Sequence, residues 1–99
     1  MRFYIAGPMT GLPDLNFPAF HAMAAELRAL GHEVINPAEV NPDHTMSWVE
    51  CMRRDIAELV KCDAVRILPG WHSSRGAMLE LHIANQLGLQ VHFPISEVA

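Results

Sequence analysis

The feature that most constrains this chain is its alternation of short β-prone apolar runs with longer stretches of helical periodicity. Arg2-Phe3-Tyr4-Ile5-Ala6, Glu33-Val34-Ile35-Asn36, Asp63 to Leu68 and Gln90-Val91-His92-Phe93 read as strands, and helix-length patterns separate them. Strands that alternate with helices build βαβ units, which require a parallel sheet, right-handed crossovers and helices on both faces. The expected fold is therefore a single α/β domain over residues 1–99, three-layered and flavodoxin- or Rossmann-like. Its doubly wound sheet has strand order 2-1-3-4. Chain direction reverses between strands one and three, so a ligand crevice is expected at their C-terminal ends.

Punctuation along the chain supports these elements. Gly7-Pro8 stops the first strand, and Met9 to Asn16 is long for a strand-to-helix connection, which makes it a candidate binding loop. Asn16 is placed to cap a first helix with Pro18 in its opening turn. Phe20, Met23, Ala24 and Leu27 lie at core spacing until Gly31 closes it. Residues 37–46 carry two prolines, two acids and His44 without periodicity, and read as a loop that folds over the sheet edge or acts as a lid. Ser47-Trp48-Val49-Glu50 forms a capping box, and Met52, Ile56, Leu59 and Val60 mark the buried face of a second helix to about Lys61. Arg66 interrupts a strand expected to be apolar on both faces; either that face is partly open, or Arg66 reaches a carboxylate or a subunit neighbour.

The segment Pro69-Gly70-Trp71-His72-Ser73-Ser74-Arg75-Gly76 joins the third strand to a helix from about Ser74 to Leu87. Ser73 or Ser74 can cap that helix, and its N-terminal N–H groups and dipole favour oxygen-rich ligands. Gly76 and Glu80 are four apart and share a face, so the missing side chain at Gly76 is expected to leave open space over the Glu80 carboxylate. From spacing alone, Glu80 reads equally as a site acid or as a solvated helix carboxylate. The loops 7–16 and 69–74 both belong to the crevice between strands one and three, which favours the site.

Composition narrows the function classes. A formal charge of −4 with seven scattered Lys and Arg forms no basic stripe, so a small-molecule partner fits better than a nucleic-acid polymer. No run approaches a membrane span, and the N-terminus has no leader pattern, so a cytoplasmic protein is expected. The six histidines make no metal-ligand spacing, and neither GxGxxG nor a P-loop occurs; no metal or other cofactor is expected. Cys51 and Cys62, eleven apart near the ends of one helix, are too distant to pair. At 99 residues, assembly of identical chains into a dimer or larger oligomer would add stability.

Four motifs in order, Tyr4-Ile5-Ala6-Gly7-Pro8, Asp55, Cys62-Asp63-Ala64-Val65 and Ser74-x-Gly76-x-x-x-Glu80-x-x-x-Ala84, resemble the nucleoside 2-deoxyribosyltransferase superfamily. Within it, the Gly-Pro-Met-Thr-Gly and Leu-Pro-Gly-Trp segments look most like the DUF4406 family of short bacterial and phage proteins. The resemblance spans nearly the whole chain. It implies cleavage or exchange of the N-glycosidic bond of a 2′-deoxynucleoside or its 5′-monophosphate through a deoxyribosyl-enzyme intermediate. By position it implies Glu80 as nucleophile, Asp55 as the acid that protonates or positions the base, and Tyr4 as the group that orients Glu80. The chain is shorter than the transferases of the superfamily, which often complete their site with a residue from a neighbour's C-terminal region; here Pro94 to Ala99 offers only a short tail.

Substrate contacts are expected from Gly7, Pro8, Met9, Ser74 and Gly76. Phe17 and Trp71 either stack on a base or pack the loops. His72 and Arg75 either meet a 5′-phosphate or remain solvated. Asp55 and Tyr4 each have a plain alternative, as a solvated charge and as a core aromatic. The rival function is a non-catalytic nucleotide-binding or sensing module that uses the same crevice.

Overall fold

The computed structural model describes residues 1–95; the last four residues of the expected tail, 96–99, lie outside the described residues. Four parallel strands, β1 (Arg2–Ala6), β2 (Glu33–Ile35), β3 (Ala64–Ile67) and β4 (Gln90–His92), form one sheet in the order β2-β1-β3-β4. In register, Tyr4 lies beside Ile35 on one side and Val65 on the other. The order is the expected one, and the central strands are the two most apolar.

Side-chain alternation along the strands sorts the core into two layers. Phe3, Ile5, Val34, Ala64 and Leu68 pack against helix α1 (Phe17–Ala29) through Phe17, Phe20, Ala24 and Leu27. Tyr4, Ala6, Val65 and Ile67 point the other way, towards helices α3 (Trp48–Leu59) and α4 (Arg75–Gln86). Helices thus cover both faces. Position 4 is thereby committed to the α3/α4 side, which matters for the site.

Four local expectations are corrected. Residues 37–46 are not all loop: Pro37–Val40 forms a short helix α2, because Asn36 Oδ1 accepts the Ala38 N–H at 3.0 Å and Pro37 supplies a helical φ at the first position. Arg28 clamps α2 to α1 by donating to both Glu39 oxygens at 2.7 and 3.0 Å. Asn16 occupies the cap position of α1 without capping it. It closes a 3-10 turn, Pro13–Asn16, whose last three residues are all left-handed, and its Nδ2 donates instead to the Pro8 carbonyl at 3.0 Å. The buried stripe of α3 is Met52, Asp55 and Leu59; Val60, just past the helix, is 48% exposed.

The fourth correction concerns Gly76. A side chain there would meet Met52 Sδ at 3.2 Å and Trp48 Nε1 at 3.4 Å, so the glycine lets α3 and α4 approach closely and does not leave open space. The ambiguity at Arg66 resolves towards a partly open face. Its guanidinium donates to the carbonyls of His92 and Phe93 at 3.3 and 2.7 Å, at the C-terminal end of the short edge strand β4.

The ends of β1 and β3 interlock where the two crevice loops begin. A Cβ at Gly7 would stand 2.7 Å from Leu68 Cβ, and a Cβ at Gly70, whose φ is +85°, would stand 3.3 Å from Pro8 Cγ. Both positions need glycine, the first for contact and the second for its left-handed backbone. Gly7→Ala is expected to destabilise the protein by about 1–3 kcal/mol, the usual cost of forcing an extra carbon into packed structure, read as a lower midpoint in urea.

Candidate active site

A cavity of about 630 Å³ opens at the C-terminal ends of β1 and β3. Gly7, Pro8 and Met9 from the first loop, Ser74, Arg75 and Gly76 from the start of α4, and the two acids Asp55 and Glu80 all line it. Other residues close the wall, among them Thr10, Leu15, Pro37, His44, Met46 and Trp48. The surface is mostly apolar, with two carboxyls set in it, an arrangement suited to a flat or partly apolar ligand with a few polar handles.

Glu80 lies one and a half turns into α4, 5% exposed. Tyr4, fully buried on the α3/α4 face of β1, donates its hydroxyl to Glu80 Oε2 at 2.5 Å. Burial raises the Glu80 carboxyl to about 8; the Tyr4 bond opposes that rise, and the nearby Asp55 charge adds to it. Tyr4 itself is held well above its ordinary value, first by burial and then by the Glu80 and Asp55 charges, so it remains a neutral donor.

Asp55, 6% exposed, is raised to about 7 by burial, against a hydrogen bond from Asn41 Nδ2 to its Oδ1 at 2.7 Å. Neither acid is a solvated helix charge. Both carboxyls resist ionisation near neutral pH, chiefly because they are buried.

At the head of α4, Ser74 is the capping serine: its Oγ accepts the Ala77 N–H at 3.1 Å. The Arg75 guanidinium lies 3.7 Å from the centre of the Trp48 ring, a cation–π contact that holds it against the cavity wall. Phe17 and Trp71 are not brought into the wall. Phe17 packs in the α1 core, edge-on to His44 at 4.7 Å, and Trp71 packs beside Phe93 at 5.4 Å. The buried Trp71 indole N–H has no acceptor among the described residues. His72, exposed, stands edge-on to Trp71 at 5.5 Å and is also outside the wall.

Trp48 and His44 line the cavity and Asn41 bonds to Asp55, and the sequence reading selected none of the three for the site. A signal existed for Trp48: positions 48, 52, 55 and 59 fall on one helical stripe, so a stripe that buries Asp55 carries Trp48 with it. No local pattern marks Asn41. Cys51 and Cys62 are free thiols. Among the described residues no group of three or more His, Cys, Asp or Glu could hold a metal ion, and no helix is long and apolar enough to cross a membrane.

Comparison with known proteins agrees with this architecture. Residues 1–93 match the family described as a domain of unknown function, DUF4406. The chain belongs to that family. Among solved structures, this DUF4406 protein is similar to a 2-deoxyribosyltransferase from Bacillus psychrosaccharolyticus, with TM-score 0.73 and 21% identity over 94% of this chain and 71% of that one. It is also similar to a 2-deoxyribosyltransferase from Leishmania mexicana, with TM-score 0.71 and 22% identity over 93% of this chain and 62% of that one. A third is the CMP N-glycosidase BcmB of Clostridium botulinum, with TM-score 0.65 and 19% identity over 94% of this chain and 67% of that one. The fold is that of the deoxyribosyltransferases, and this chain spans 62 to 71% of the length of these three relatives. No curated protein matches the sequence.

The two raised carboxyls have a consequence for stability. The folded chain keeps both protons to about pH 7 and 8, whereas the unfolded chain releases them near the ordinary values of 3.8 and 4.5. Between those limits the folded state binds more protons, so their stabilising contribution is complete below the ordinary carboxylate range and is lost as pH rises through 7 and 8. Each group contributes a slope of roughly 1.4 kcal/mol per pH unit while only its unfolded form is ionised. The melting temperature should therefore fall between pH 5 and 9, and Glu80→Gln, which can still accept from Tyr4, should flatten that fall.

Proposed function

We propose that this protein breaks the N-glycosidic bond of a 2′-deoxynucleoside or its 5′-monophosphate and passes the sugar to water or to a second base. The observation that carries the proposal is the pairing in one cavity of a buried Glu80, held by Tyr4, with a second buried acid, Asp55. A glutamate in such a pair can attack a sugar carbon that is developing oxocarbenium character, while its neighbour protonates the departing group.

In the first step Glu80, in its ionised form after release of its proton to solvent, bonds through one oxygen to C1′ as the C1′–N bond breaks, and the released electron pair on the base takes the Asp55 proton. Tyr4 donates to Oε2, which leaves Oε1 as the attacking oxygen and steadies the carboxylate before attack and again as the second step frees it. In the second step water or another base attacks C1′, frees Glu80 and returns a proton to Asp55. Pro8, Met9 and the apolar wall would receive the base and sugar. Arg75 beside Ser74 at the α4 N-terminus is suited to a 5′-phosphate. Two of the structural relatives are 2-deoxyribosyltransferases and one is a CMP N-glycosidase, which supports the reaction class.

A second reading, a module that binds a nucleotide without consuming it, is favoured by the carboxyl at Glu80 being raised to about 8, since a protonated carboxyl is a poor nucleophile. Chromatography separates the two readings. Wild-type protein incubated with 2′-deoxynucleosides and their 5′-monophosphates, with and without a second free base, should release or exchange base. Glu80→Ala should lower that rate by at least roughly a thousandfold while the fold is retained, and Tyr4→Phe should lower kcat by roughly tenfold to a hundredfold. Thermal stabilisation by a nucleotide with no base release from the wild type would instead establish the binding module.

A further inference from the structure

Among the described residues Asp55 accepts one hydrogen bond, from Asn41 Nδ2 to Oδ1 at 2.7 Å. Asn41 is 5% exposed, yet it does not line the cavity that Asp55 lines. It follows directly on α2, where its backbone N–H returns to the Pro37 carbonyl at 2.9 Å. That short helix is anchored by the Asn36 cap and the Arg28–Glu39 clamp. The amide is therefore held firmly against the acid.

Its own chemistry makes the placement informative. Asn41 Oδ1 is buried with no hydrogen-bond partner among the described residues. An orphaned amide oxygen is a cost that a leucine of similar volume would avoid, so packing does not account for an asparagine here. What leucine lacks is the donor to Asp55.

We infer that Asn41 is a positioning residue for the acid: by occupying Oδ1 of Asp55, its amide leaves Oδ2 as the oxygen that carries the transferable proton to the base. This rests on the reading of Asp55 as proton donor. As the C1′–N bond breaks, the proton moves from Oδ2 to the base nitrogen, and Asp55 is left as a carboxylate. The N–H···Oδ1 bond then becomes a bond to a charged acceptor and strengthens as the reaction proceeds. Asn41 thus stabilises the state that forms on proton transfer more than the state before it.

The ionisable groups facing Asp55 are Glu80 on α4, Tyr4 on β1 and Cys51 one turn back on α3, with His44 and Arg75 also on the cavity wall. Asn41 is uncharged and acts on Asp55 alone, so its removal has a distinct signature. Burial sets the acid at about 7 against the Asn41 bond, and without that bond it must rise further.

The test is carbon-13 NMR titration of the Asp55 carboxyl in ligand-free wild type and in Asn41→Leu, alongside kcat and KM over pH. The Asp55 midpoint should move up by roughly one pH unit, a tenfold change in its proton affinity. kcat should fall roughly tenfold with KM little changed, and the alkaline limb of the kcat profile should shift upward with the acid. Asn41→Gln, which keeps an amide donor, should recover part of both effects, and Asn41→Ser replaces Asn41→Leu if the latter does not fold. An unmoved Asp55 midpoint on loss of the amide overturns the role of Asn41 even in an active enzyme. Absence of base release from the wild type overturns the reading of the site through the chromatographic assay, independently of the titration.

Discussion

The structure depends on one buried hydrogen bond, from Tyr4 to Glu80. A carboxyl taken out of water is costly unless a partner meets it, and Tyr4 is that partner, at 2.5 Å and wholly buried. The bond joins the first strand to the last helix, 76 positions apart in the chain. It can form only if β1 sits at the centre of the sheet and α4 lies across the face towards which position 4 points. The strand order and the alternation of side chains along β1 are therefore preconditions of the site as much as of the core.

The second requirement is a shaped volume around that bond. Gly76 lets α4 approach Met52 and Trp48 of α3, and the Arg75–Trp48 stack seals the same junction. On the other side, Gly7 against Leu68 and Gly70 against Pro8 draw the two crevice loops together. Contact between elements, in each case through a missing side chain, brings together the wall in which the two acids are buried, and that burial raises both carboxyls.

The fold was largely legible because its signals are local. Apolar runs ending in Gly-Pro or Pro, capping serines at Ser47 and Ser74, and helix stops at Gly31 and Gly88 each act within a few residues. The miss at Pro37 has the same origin: proline after a strand was read as a stop, yet after Asn36 it also starts a helix, and only the Ala38 N–H bonded to Asn36 decides between these. Glu80, Asp55 and Tyr4 could be picked out through motif positions, whereas burial of the two acids could not be read from spacing that suited a solvated helix equally well. Trp71, in a crevice loop, could stack on a base or pack the loops; it packs beside Phe93 outside the cavity wall, and Trp48 of α3 lines that wall instead.

By itself, the sequence determined the order and type of the elements, the parallel sheet, and which two Gly/Pro-containing loops meet at its C-terminal edge. These follow from periodicities of two and 3.6 residues and from the limited φ/ψ range of proline and the wide range of glycine, all short-range properties of a chain. Tertiary structure alone decided that Met52 and Trp48 fill the space over Gly76, that Asn41 reaches Asp55, and that Arg66 finds the carbonyls at the end of β4. Each of those joins segments whose spacing in sequence carries no information about distance in space. Such contacts are set by how helices dock on the sheet, and docking is a property of the whole core.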